Sequence, residues 1–146
     1  MNRRMYWIAG VVVAALLVVA GYAVSAGRQP KVALEGTDWV LVSYGQQGEQ
    51  KAALDRTEVT ATFDRAEGRV TGNGSVNRYF GGYTVDGNRL TVGANLGSTK
   101  MAGPADAMQQ ETAYFGLLGA AESYRIQGER LEITTADGGL LVFQAR

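Results

Sequence analysis

The chain holds no His and no Cys, so imidazole acid–base catalysis, a thiol nucleophile, a disulfide and an ordinary zinc site lie outside its chemistry. What remains for nucleophilic attack is a hydroxyl activated by an amine, and Ser98-Thr99-Lys100 supplies both groups. Neighbouring strand residues point to opposite faces, so Ser98 and Lys100 share one and Thr99 takes the other. A bare hydroxyl and amine two residues apart recur in many sequences, and the trio reads as structural or surface. Paired carboxylates are the other route to catalysis. Asp64 with Glu67, and Glu129 with Glu132, fall in or beside hairpin turns and read as solvated turn residues. Asp137-Gly138 is a turn without the Asp/Asn ladder of a calcium loop. Gly72-Asn73-Gly74 lacks the Lys and the following helix of a phosphate site. The sequence therefore predicts no enzyme, no cofactor and no metal.

Recognition is better served. Asn77, Arg78, Tyr79 and Tyr83 combine an amide, a guanidinium and aromatic rings, a mixture suited to hydrogen bonding and stacking at a binding surface. The competing reading has Asn77 bonding its own loop while both tyrosines pack inward. Lys100 and Glu111 flank the start of a predicted helix, where a buried or half-buried ion pair is a further structural possibility. With Thr99, these are the candidate binding residues.

The elements that must position them follow from composition and pattern. A length of 146 residues suits one domain. Fourteen Lys plus Arg balance 14 Asp plus Glu without a like-charge block, so nucleic acid is not an expected partner. The 20 Gly against 2 Pro predict a turn-rich, folded chain. Val59, Ala61 and Phe63 alternate with Thr60 and Thr62, the chain turns over 64–68, and Arg69–Thr71 returns as a hairpin. Segments Tyr83–Val92 and Tyr124–Ile133 share Tyr, Gly, Arg and Leu at the same offsets, through recurring turn chemistry or a duplicated hairpin. A last hairpin turns at Asp137-Gly138-Gly139 and runs into Leu140–Phe143. Trp39–Tyr44 and Leu96–Thr99 bring the expectation to eight or nine short strands. One helix is predicted over Pro104–Ala121, with Pro104 at its first position, Asp106 at the positive end of its dipole, and Met108, Phe115 and Leu118 as its apolar stripe. Glu111 lies on or beside that stripe and must be paired or hydrogen-bonded. The fold class is mostly β (α+β): a small antiparallel bent sheet or barrel, plugged or flanked by one helix.

Ahead of this body, Met5–Val24 is an uncharged run of 20 residues behind Arg3 and Arg4. About 20 apolar residues match a bilayer core of about 30 Å, and Tyr6, Trp7 and Tyr22 suit its interfaces. The expected reading of residues 1–26 is a single transmembrane anchor with residues 27–146 outside the cytoplasm, tethered through residues 27–33. The alternative is a signal peptide cleaved after Val24-Ser25-Ala26, giving a secreted or periplasmic protein.

Several motifs in order carry a family resemblance: Leu34-Glu35-Gly36-Thr37-Asp38-Trp39, the Gly72–Asn77 loop with Arg78-Tyr79 and Gly81-Gly82-Tyr83, Thr99-Lys100-Met101-Ala102, and Met108 with Glu111. Together they strongly resemble the META domain of the HslJ-like proteins, over about Val32–Phe143. The family pattern has cysteine at two positions that here hold Val76 and Gly103. Their joint loss is what is expected if relatives bring these loops close enough to bond. The resemblance implies a domain at 34–146 of bacterial envelope proteins linked to heat or drug stress, with no established catalytic reaction. The functional expectation is a noncatalytic extracytoplasmic protein that supports envelope stress tolerance by binding a partner protein or envelope component. The alternative is a carrier of a small apolar ligand inside a barrel.

Overall fold

The computed structural model of the chain describes residues 31–146. The alternating pattern becomes strands whose apolar side chains share one face: β1 (Asp38–Gln46), β2 (Glu49–Ala52), β3 (Thr60–Asp64), β4 (Arg69–Asn73), β5 (Arg78–Asp86), β6 (Arg89–Val92), β7 (Gly97–Ser98), β8 (Ala121–Gln127), β9 (Arg130–Thr135) and β10 (Gly139–Ala145). Pairing runs β1-β3-β4-β5-β6-β8-β9-β10, and β10 returns to β1 from Trp39↔Ala145 to Gln46↔Gly139. Eight antiparallel strands thus close a barrel, which removes the exposed edges an open sheet would leave. The expected bent sheet or barrel is a closed barrel.

Trp39, Phe63, Val70, Leu90, Leu131, Ile133 and Phe143 are fully buried within it. Burying each such side chain contributes about 1.5–3 kcal/mol. At one end, hereafter the upper, β1 finishes at Gln46, β4 passes to β5 through 74–77, and β9 passes to β10. The helix α1 (Ala105–Gly119) closes that end, with Tyr114 and Leu118 fully buried. The Tyr114 ring meets Phe143 edge-on at 6.2 Å. The lower end carries the tight turns at Gly87 and Gly128, both with φ near +59°. These are the turns of the two similar hairpins, which become neighbours through Arg89↔Ser123.

Three sequence expectations change. The buried face of α1 is Ala107, Gln110, Glu111, Tyr114 and Leu118, one residue round from the expected stripe, and Met108 and Phe115 lie half-buried beside it. β2 was not foreseen: its Glu-Gln-Lys-Ala sequence is wholly exposed and has no apolar alternation, and it forms by pairing with β1 from Ser43↔Ala52 to Gln46↔Glu49. The Gly72–Asn77 stretch, read as a loop, begins as strand: β4 runs to Asn73, β5 starts at Arg78, and only Ser75 between them has positive φ (119°). Gly72 and Gly74 are required by close approach instead. A Cβ on Gly72 would lie 2.0 Å from the Thr60 carbonyl oxygen, and one on Gly74 would lie 2.5 Å from the Phe115 ring.

The leader, the apolar run 5–24 and most of the tether lie outside the described residues. Among those described, no helix is long and apolar enough to cross a membrane. Of the expected tether, Val32 packs against the core and Ala33 accepts a hydrogen bond from Thr37 Oγ1.

Candidate functional site

Three of the four motifs dispersed along the sequence meet at the upper mouth, and the first, Leu34–Trp39, begins at the lower one. Pro104 ends the segment after β7 and starts α1, which turns Glu111 inward at the 74–77 connection. Glu111 is only 4 % exposed and pairs with no cation among the described residues. Its carboxyl oxygens accept from three N–H donors: Val76 N at 2.8 Å and Asn77 N at 2.6 Å to Oε2, and Asn77 Nδ2 at 2.7 Å to Oε1. Buried polar oxygens left without such donors would cost several kcal/mol, on the order of 1–3 for each. Asn77 in turn ties the helix to the segment after β7 through its side-chain amide. Its Nδ2 also donates to Met101 O (3.1 Å), and its Oδ1 accepts from Met101 N (2.7 Å) and Thr99 Oγ1 (2.8 Å). Asn77 therefore bonds a different segment from the one expected, and Glu111 and Asn77 rivet helix, connection and strand end together.

The expected Lys100–Glu111 ion pair does not form. Lys100 is exposed and its Nζ reaches only Ser98 Oγ at 3.4 Å. Tyr79 is buried; its hydroxyl donates to Thr60 O at 2.8 Å and lies 2.6 Å from Tyr114 Oη. Burial pushes both phenols well above the ordinary tyrosine range, so neither supplies a base. Tyr83 is buried apart from this cluster, toward the lower end, edge-on to Phe63 at 5.1 Å and donating to Glu35 Oε1 at 2.7 Å. Of the candidate residues, the structure therefore brings Asn77, Thr99 and Glu111 into one network and stacks Tyr79 beneath it. Arg78, Thr99 and Lys100 are exposed on its outer side, and Met101 beside them is 58 % exposed. Arg78 is held there by its backbone, whose carbonyl accepts from Thr99 N at 3.0 Å.

Sequence reasoning missed Gln110. It is fully buried, accepts from Leu54 N at 2.8 Å, and donates from Nε2 to Thr57 Oγ1 (3.0 Å) and Ser75 Oγ (3.1 Å). A polar residue next to an inward-facing Glu was the available signal. The departures at the two cysteine positions are also neighbours: a Cβ on Gly103 would lie 2.7 Å from Val76 Cγ2 and 3.4 Å from its Cβ. Elsewhere, an open cleft of about 680 Å³ lies at the lower mouth, between residues 31–35 and the Gly87 and Gly128 turns.

Comparison with known proteins agrees with this geometry. The META domain family model matches residues 32–146. The fold is similar to an NMR structure of a protein from Burkholderia xenovorans, with a TM-score of 0.67 and 27 % identity over 77 % of this chain and 83 % of that one. A second NMR structure gives 0.58 with 18 % identity over 77 % and 94 %. A crystal structure of a DUF4847 family protein from Bacteroides vulgatus gives 0.51 with 13 % identity over 73 % and 90 %; these last two likenesses speak to fold alone. No curated protein matches the chain in sequence. With three dispersed motifs locked into one junction and the family match spanning every strand of the barrel, the chain belongs to the META domain family.

Proposed function

We propose that this META domain is a noncatalytic binding module of the HslJ-like branch, held outside the cytoplasm by residues 5–24 and supporting envelope integrity under stress. Its partner is a protein or envelope component, met by the rim formed by Arg78, Lys100 and Met101. The observation that carries this reading is the division of labour at the upper mouth. Asn77 and Glu111 commit their polar atoms to the scaffold, while a guanidinium, an amine and a thioether stand exposed around them, a combination suited to contact.

Site-specific photocrosslinking in cells tests it. A crosslinker at Met101 should give one discrete adduct that Arg78→Glu or Lys100→Glu removes, while one at Val42, exposed on β1, should not. The same adducts from both positions would refute the assignment. Fractionation with and without a membrane wash separates the anchored protein from one released after Ala26. The apolar-carrier alternative finds its barrel interior occupied by the chain's own side chains, so support for it moves to the cleft at the lower mouth.

A further inference from the structure

We propose that this lower cleft takes an acyl chain of an anionic phospholipid from the bilayer beside it, an inference that rests on the anchored reading of residues 5–24. Val32, Leu34, Val85, Tyr124 and Ile126 line it, and Val85 is 37 % exposed although it is a large apolar residue. The cleft wall begins at Lys31, and six residues, 25–30, separate Lys31 from the end of the apolar run. The seven steps from Val24 to Lys31, at about 3.3–3.6 Å each, reach no more than about 25 Å, so the lower mouth stays close to the leaflet surface. A lipid tail entering the cleft exchanges one apolar surrounding for another, while the cleft wall leaves water, and that desolvation drives occupancy.

The charges at the rim set the headgroup. Lys31 makes no ion pair among the described residues, whereas Arg125 is engaged by Glu132 at 2.6 Å. Glu35, the carboxylate in the cleft, is occupied by the Tyr83 hydroxyl and lies 3.9 Å from Arg65. A phosphate at Lys31 would meet a cation that has no ion-pair partner among the described residues.

The test uses the full chain in vesicles of phosphatidylglycerol and phosphatidylcholine in equal parts, read by flotation and by native mass spectrometry. The wild-type chain should float with the vesicles and retain one phosphatidylglycerol. Val85→Asp and Ile126→Asp, which put a carboxylate against the tail, should lower the retained fraction about tenfold or more. Lys31→Glu should shift retention toward phosphatidylcholine. Phe80→Asp, on the outer wall and 49 % exposed, should behave as wild type and so accounts for lipids held by the anchor alone. Thermal melting verifies folding, with Val85→Gln as the milder replacement for any variant that fails to fold. Flotation with equal retention in all variants would overturn the lipid site and leave the anchor standing. A chain that does not float would overturn the anchored reading and the lipid site with it.

Discussion

Val76 and Gly103 occupy the family's two cysteine positions, and their Cβ positions fall 3.4 Å apart once Gly103 is given one. Disulfides need a Cβ···Cβ separation of about 3.5–4.5 Å, so a shift of a few tenths of an ångström suffices. We predict that the double variant Val76→Cys/Gly103→Cys oxidises spontaneously to one intramolecular bridge. Closing a loop of about 28 residues removes chain entropy worth about 3.5 kcal/mol from the unfolded state. Comparing the oxidised with the reduced form of the same variant cancels the cost of the substitutions themselves. With a urea m-value of about 1.5 kcal/mol/M, the bridge should raise the unfolding midpoint by about 2 M. Since the chain has no other Cys, thiol titration counts bridge formation directly. A companion cycle tests the contact without sulfur. Gly103→Ala alone places a methyl 2.7 Å and 3.0 Å from the two Val76 methyls and should cost about 1–3 kcal/mol, and adding Val76→Ala should recover part of that loss. Two free thiols after prolonged oxidation, or an oxidised form no more stable than the reduced one, would refute the proximity and the argument built on it.

Glu111→Ala strips three N–H donors of their acceptor and should cost about 3–5 kcal/mol in urea unfolding; a loss below 1 kcal/mol would contradict the rivet. Gly72→Ala should destabilise more than Gly74→Ala, because the first collides with the Thr60 backbone and the second with the movable Phe115 ring. Only the second, at about 1–3 kcal/mol, should be rescued by Phe115→Leu, and calorimetry of the four variants decides it. The Glu132 carboxyl is held below its ordinary value of 4.5 by the Arg125 guanidinium, with Arg130 assisting and partial burial opposing. Its folded value being depressed, its contribution is present above pH 4.5 and lost as pH falls through the lowered value. The stability difference between wild type and Glu132→Gln, about 0.5–1 kcal/mol near neutral pH, should therefore vanish in acid, and a difference independent of pH would count against the pairing.

The sequence by itself determined the chemistry available to this protein and the type of most of its elements. The missing His and Cys are a property of composition that no folding can alter. Period-two alternation at Val59–Phe63, and Gly in the turns at 87 and 128, specify local backbone and need no distant partner, so those hairpins were legible. The helix at 105–119 was legible for the same reason, and so was the need for Glu111 to find partners.

Only the tertiary structure decided which partners those were. The donors to Glu111 come from residues 76 and 77, about ten helical turns of chain away in sequence terms, and Lys100, the tempting cation, points elsewhere. β2 carries no pattern of its own and exists because β1 offers an edge. The buried face of α1 is shifted because Gln110 and Glu111 gain more by satisfying loop N–H groups than they lose by leaving water. Barrel closure by β1 with β10 joins residues about 100 positions apart, a contact that local pattern cannot encode, since its reward comes only after the intervening strands have formed.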